Sequence, residues 1–357
     1  MDDGRVLERL VARYSPSGEE ALAVREFVRV ARRSGYRTWV DPAGNGIAVR
    51  GRGRPELLFL GHIDTVEGDR PVRRRRGRIY GRGSVDAKGP LVAALLAGRR
   101  FAGHGTLRIV AAVGEETDSR GTRYLLRGRR PDAVIAGEPS GWDGLTIGYK
   151  GVFRFTATFR GRRSHYSGPT PTAADVAMEW VGALRAWASA HQGASMFRSP
   201  TAKVIAWSTG PPGDAEHATV TIDVRLPPGI SLQAVRAALP REPGRPTLRV
   251  IARCEPVELP ATNAVASALV AAIRAQGARP TVWRKGGTSD LNLAVAAWSV
   301  PGAAYGPGDS RLDHTSRESL SVADLGRSIA VLEQAFAELL GSDDRPPTLR
   351  RSADGAL

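Results

Sequence analysis

Three short apolar runs constrain this chain most, because each leads directly into residues of metal-ligand type. Leu57-Leu58-Phe59-Leu60 leads into His62 and Asp64, the run from Leu107 to Val113 into Glu115-Glu116, and the run from Ala133 to Ala136 into Glu138. Apolar runs of this length read as buried strands. Helical patterns over Pro90 to Arg100 and Gly121 to Arg127 lie between them. Strand and helix in alternation give an α/β fold, a mostly parallel sheet with helices on its faces. Open α/β sheets bind ligands outside the carboxyl ends of their strands. The three motifs should therefore meet in one crevice.

From about Phe155 the pattern changes. Phe153 to Phe159 alternates apolar and polar, as a half-solvated strand does. A helical stretch from Thr172 to Ala190 follows, then strand patterns at Thr219 to Arg225 and Thr247 to Ile251. This reads as an inserted α+β domain with a largely antiparallel sheet. An alanine-rich helix near Asn263 returns the chain to the α/β pattern. The expected organisation is a discontinuous catalytic domain over 1–154 and 262–341, an insert over 155–261, and a disordered tail over 342–357. Near the N-terminus, Ser17 and Glu20 have the spacing of a capping box for a helix through Ala31.

Composition narrows the function classes. The single cysteine, Cys254, rules out an intramolecular disulfide and a Cys-based zinc site. The start, MDDGRVLERL, lacks an apolar signal core, and no stretch is long and apolar enough to span a membrane. A soluble, cytoplasmic protein is expected. Net charge is +15, and 47 of the 51 basic residues are arginine, since lysine occurs only at Lys88, Lys150, Lys203 and Lys285. Codon bias is one reading of that excess; a field that attracts an acidic partner is the other. Arg73-Arg74-Arg75-Arg76 falls in an expected turn without interleaved aromatic residues for stacking. A nucleic-acid partner is therefore not expected, and an acidic protein fits at least as well.

His62, Asp86, Glu116, Glu138 and His314 supply the imidazoles and carboxylates that zinc accepts. Singly each is weak: an H-x-D after a strand, a solvated E-E pair, a Glu before proline, a surface histidine. Together, without cations, they would crowd costly charges into one crevice. A carboxylate can bridge two cations about 3.5–4 Å apart, and Asp86 takes that role. His62 and Glu138 complete one site, Glu116 and His314 the other. Glu115, beside a ligand but free to act, is the expected general base, returning the water proton to the leaving amine. Asp64 is expected to accept the ring N–H of His62 and set its tautomer.

These motifs resemble the zinc-dependent M20 amidohydrolase and peptidase family. The strings Tyr80 to Leu91, Gly137 to Trp142 and Gly148 to Gly151 are most similar to its [LysW]-lysine/ornithine hydrolase branch. The resemblance spans about residues 5–340 and implies a zinc-hydrolase domain interrupted by a lid that mediates dimerisation. It further implies that His165, within Arg163 to Ser167, reaches the neighbouring active site of a homodimer and polarises the scissile carbonyl. From sequence alone His165 is only a histidine near a strand end. Lys285, Gly287, Thr288 and Ser289 resemble a glycine-rich substrate loop, although alone they read as a helix start capped by Ser289 or Asp290. Arg225 resembles a position near the substrate, or else an ordinary ion-pair partner in a strand. Many relatives carry an asparagine-containing turn before that strand; here Asp214-Ala215-Glu216-His217 stands instead.

The branch implies hydrolysis of the amide joining lysine or ornithine to the C-terminal glutamate of a small acidic amino-group carrier protein. Two zinc ions are the expected cofactors, and cobalt and manganese tolerate similar sites. The rival enzyme reading is an N-acetyl-ornithine or N-acetyl-lysine deacetylase, or a dipeptidase, acting on free small molecules. A non-catalytic nucleic-acid-binding protein is the rival from another class; two bound metal ions would count against it.

Overall fold

The structure, a computed structural model, describes residues 2–162, 165, 167–210, 215–242, 244–341 and 347–349. Its internal contacts divide the chain into two units. The first comprises Met1–Gly148, Leu259–Trp283 and Ser289–Leu357; the second comprises Tyr149–Glu258 and Arg284–Thr288.

The first unit is built on a sheet whose central strands are parallel. Its order runs Arg37–Val40, Gly46–Arg52, Gly105–Ala112, Glu56–His62, Ala133–Gly137, Gly302–Ala304, Gly144–Tyr149. Glu56–His62 runs parallel to both neighbours, with His62 opposite Ala112 and Gly61 opposite Gly137. Antiparallel pairing is confined to the flanks. Leu57, Leu58 and Phe59 are fully buried, as expected of a strand covered on both faces. Helix Lys88–Gly98 is buried at every position, so its apolar residues show no face and only its length marks it as helical. Helix Val322–Leu340 packs on it and on helix Ala264–Ala275.

The tetra-arginine run is not simply a turn. Arg73–Arg75 is a strand paired with Arg78–Tyr80, which pairs in turn with Ser319–Ser321. The turn is only Arg76-Gly77, both with positive φ, the geometry that suits a two-residue hairpin. The expected capping box at Ser17 is also absent. Helix Ala21–Arg33 starts at Glu20 without a side-chain cap. The Ser17 hydroxyl instead donates to the Asp64 carboxylate at 2.6 Å, while the Glu20 carboxylate accepts from Arg120. A charged carboxylate is a strong acceptor for the Ser17 hydroxyl, and the Glu20 carboxylate is already taken by Arg120. Much of the expected tail, 342–346 and 350–357, lies outside the described residues. Thr348 and Leu349 donate backbone N–H groups to Glu338 and Leu339, and Leu349 is buried.

The second unit carries a four-stranded antiparallel sheet in the order Thr201–Thr209, Ala215–Leu226, Gly151–Arg162, Thr247–Cys254. Phe155, Phe159 and Trp180 of helix Ala173–Ala190 pack edge to face over it. Thr172 and Asp175 form the reciprocal cap of that helix. The strand begins before the alternation is visible, because Val152 and Phe153 are both buried. No described helix is long and apolar enough to cross a membrane.

Candidate active site

The strand ends deliver the charged residues. His62 is the last residue of its strand, two residues before Asp64. Gly114 (φ +76°) turns the chain after strand Gly105–Ala112 and presents Glu115 and Glu116; a left-handed turn of this kind is most easily made by glycine. Glu138 follows strand Ala133–Gly137. Asp86 lies in the loop before helix Lys88–Gly98, and its peptide to Ala87 is cis.

These residues form two triads that share Asp86: His62, Asp86 and Glu138 in one, Asp86, Glu116 and His314 in the other, each with ligand atoms within 4.8 Å of one another. His62 Nε2 lies 3.1 Å from Asp86 Oδ1. His314 Nε2 lies 3.0 Å from Asp86 Oδ2 and 3.0 Å from Glu116 Oε1. One carboxylate thus offers each oxygen to a different triad, as a bridging ligand must.

Asp64 is fully buried, but its carboxylate is not the nearest partner of the His62 ring. Nδ1 lies 3.0 Å from the Asp64 backbone carbonyl and 3.7 Å from Oδ1. The carbonyl therefore takes the ring N–H and leaves Nε2 to face Asp86. The carboxylate accepts three other donors: the backbone N–H groups of Glu115 and Glu116, each at 3.1 Å, and the Ser17 hydroxyl. It holds the turn that carries a ligand and the expected base.

The charges of the cluster perturb one another. Burial works to neutralise His62, but the hydrogen bond and charge of Asp86, helped by Glu115 and Glu138, outweigh it and raise its pKa well above the ordinary value. Burial likewise works to raise the Asp86 carboxyl, yet the hydrogen bonds of His314 and His62 hold it below the usual carboxylate range. Hydrogen bonds to Asp86 and then Glu116 raise His314 to about 10. Burial raises Glu115 well above a normal glutamate; His62 opposes this, and Glu138, Asp290 and Glu116 add to it. Four carboxylates this close call for positive charge, and the imidazole and oxygen donors are those that a borderline divalent cation accepts. The residues fit a pair of such ions.

Other expected positions fall in the second unit. Arg225 Nε donates to Asp223 Oδ1 at 2.7 Å, and Asp223 also receives Arg154, so Arg225 is the strand ion-pair partner that the sequence left as one option. At His165, Nδ1 accepts the Ser167 backbone N–H at 3.3 Å and meets its hydroxyl at 2.7 Å. Lys285 ends strand Thr281–Lys285, and a Cβ on Gly286 or Gly287 would meet nothing within 4 Å. Thr288 is the last residue of this segment. In the first unit, Ser289 is the N-cap of helix Asp290–Trp298, reciprocated by Asn292.

Residues 58–338 match the model of peptidase family M20/M25/M40. The chain belongs to this family. It is 41% identical to the [LysW]-lysine hydrolase of Deinococcus radiodurans, over 94% of this chain and 96% of that one. It is 28% identical to the [LysW]-lysine/[LysW]-ornithine hydrolase of Sulfurisphaera tokodaii, over 94% of each. A tripeptidase from Staphylococcus aureus superposes with a TM-score of 0.77 at 18% identity, covering 94% of this chain and 96% of that one, a likeness of fold. As an M20 family member the protein is a metal-dependent amidohydrolase.

The sequence reading missed four M20-site contributors. Ser17 supports Asp64. Arg82 and Glu318 form a buried ion pair beside Asp86. Asp290 is a buried carboxylate taking the Thr122 hydroxyl at 2.5 Å, and burial raises it to about 6. Arg82 stood inside a quoted string, and Glu318 lies four residues after His314. Neither carries a local signal of its partner.

Proposed function

We propose that this M20 enzyme hydrolyses the amide between the C-terminal glutamate of an acidic amino-group carrier protein and lysine or ornithine, releasing the amino acid. The observation that carries the reading is the end-to-end 41% identity to a [LysW]-lysine hydrolase, in a chain whose two triads share Asp86. The +15 charge suits an acidic carrier by electrostatic complementarity.

His62, Asp86 and Glu138 would hold one zinc ion, and Asp86, Glu116 and His314 the other. Two bound zinc ions supply Lewis acidity at the scissile carbonyl and lower the pKa of water. Glu115 takes the proton of the attacking water and hands it to the leaving nitrogen. Asp64 fixes the backbone that carries Glu115. His165 acts from a partner subunit in a homodimer. Its Nδ1 faces the Ser167 N–H and hydroxyl, which leaves Nε2 as the ring atom to meet the scissile carbonyl. Lys285, Gly287, Thr288 and Ser289 are the proposed substrate contacts, with open space at the glycine supporting that role.

The test is intact-mass spectrometry of a carrier–lysine conjugate incubated with the zinc-loaded protein, beside N-acetyl-ornithine and N-acetyl-lysine. Loss of one lysine mass from the carrier, with little action on the acetyl compounds, is expected. Deacetylation without carrier cleavage would move the enzyme to free small-molecule substrates.

A further inference from the structure

We infer that the buried Arg82–Glu318 pair is a positioning device that fixes the spacing between Asp86 and His314, and so sets the affinity of the metal site these two share with Glu116. The inference rests on the two-metal reading of the centre.

Both side chains are almost wholly buried. A buried ion pair is weak evidence for stability, because desolvation offsets its Coulomb attraction. What distinguishes this pair is where its bonds go. Glu318 Oε1 accepts the backbone N–H of Val85 at 3.0 Å and of Asp86 at 3.2 Å. Its Oε2 accepts Arg82 Nη1 at 2.8 Å. The same guanidinium reaches the carbonyls of Thr315 at 3.4 Å and His314 at 3.5 Å, and its Nε that of Gly68 at 3.3 Å. One pair thus fastens the backbone of the bridging carboxylate to the backbone of the histidine beside it.

His314 needs such a restraint. Its backbone is left-handed (φ +61°), a conformation unfavourable for a residue with a Cβ. Such conformations persist where surrounding contacts over-determine them. Its side chain is about half exposed, at 49%, so packing alone does not hold it. The clamp continues into the chain behind it: Gly81 N–H reaches the Glu318 carbonyl at 3.4 Å, and Ser319 pairs with Tyr80.

The other triad is held differently. His62 ends a strand paired on both sides, and its ring rests on the Asp64 carbonyl. Neither constraint passes through Arg82 or Glu318. Because Asp86 belongs to both triads, loosening the clamp should weaken both sites, and the His314 site more, since only there does the second ligand also lose its restraint.

The experiment is stepwise zinc titration of the metal-free full-length protein against a competing chelator, with Tm read in parallel. His62→Ala and His314→Ala identify which step belongs to which triad. Glu318→Gln keeps the shape but turns an amide toward Arg82; Arg82→Lys keeps the charge but loses the planar fork. The control is Asp132→Asn, which breaks the pair of half-buried Arg54 with buried Asp132 at the opposite, amino end of strand Ala133–Gly137. Both clamp variants should lower the affinity of the His314 step by about 10–100-fold, the usual effect of removing a group that orients a ligand. The His62 step, which shares Asp86 but not the restrained histidine, should fall by a smaller factor. Asp132→Asn should lower Tm and leave both steps intact. Unchanged affinity of the His314 step in both variants, equal loss in both steps, or the same loss in the control would overturn the inference. If Glu318→Gln fails to fold, Arg82→Lys decides. Wild-type protein that binds fewer than two ions would instead refute the two-metal reading.

Discussion

Asp64→Asn separates the two roles open to its carboxylate. The aspartate accepts Glu115 N–H on Oδ1, and Glu116 N–H with the Ser17 hydroxyl on Oδ2. Asparagine has one acceptor oxygen and one amide that can only donate. With the amide at the Oδ1 position, the Glu115 N–H loses its acceptor; with the amide at Oδ2, the Glu116 N–H does. Ser17 can rotate its hydroxyl to accept, but a backbone N–H cannot. One bond to a charged acceptor is therefore lost in either orientation. Such bonds contribute about 1.5–3 kcal/mol; taking about 2 kcal/mol, the turn that carries the base and a ligand loosens by roughly 30-fold. We expect kcat/KM to fall by roughly that factor, measured by steady-state release of the amino acid. The His62 ion should bind as before, because the carbonyl of residue 64 survives the substitution and still takes the ring N–H. Activity within about threefold of wild type would refute the claim that the carboxylate holds the turn. Selective loss of the His62 ion would show that the carboxylate, not the carbonyl, orients that ring.

The remaining predictions concern the base, the protons, the lid and the field. Glu115→Gln should keep both ions by metal analysis and lower kcat by about 10²–10⁴-fold, the usual contribution of a general base; near-wild-type turnover would remove Glu115 from that role. In metal-free protein His314 is raised to about 10, so near pH 7.5 it carries a proton that an incoming ion must displace. Apparent affinity should then rise with pH up to about 10, and titration calorimetry in two buffers of different ionisation enthalpy should show proton release; identical heats would contradict it. His165→Ala should lower kcat without altering metal content, and an unchanged rate would return it to a structural role. With the carrier conjugate, kcat/KM should fall steeply with salt while small-substrate rates stay flat; a flat response for both would leave the +15 charge to codon bias.

The parallel centre of the sheet was legible because each buried strand is a compact apolar run with ligand-type side chains just past its end. The structure brings His62, Asp86, Glu116, Glu138 and His314 together in two triads. The edges were less legible. Arg73–Arg75 has no apolar pattern, and its strand exists because the Arg76-Gly77 turn folds it onto Arg78–Tyr80, which Ser319–Ser321 holds from the other side. Ser17 and Glu20 show the opposite failure: a sound local signal lost to partners far away in the chain, Asp64 and Arg120.

The same cause explains what was missed around the metal centre. The His62 ring is oriented by a carbonyl. Asp64 holds two backbone N–H groups, and Glu318 holds two more at Val85 and Asp86. In each case one partner is main chain, and main chain looks the same at every position of a sequence. Side chains that chelate are chosen for their chemistry, so their identities announce them. Side chains that position are defined by the backbone they meet, which only the folded chain supplies. The expectation that Asp64 would serve His62 assigned it to the nearest nameable side chain. The donors its carboxylate actually takes include backbone amides fifty-one and fifty-two residues away.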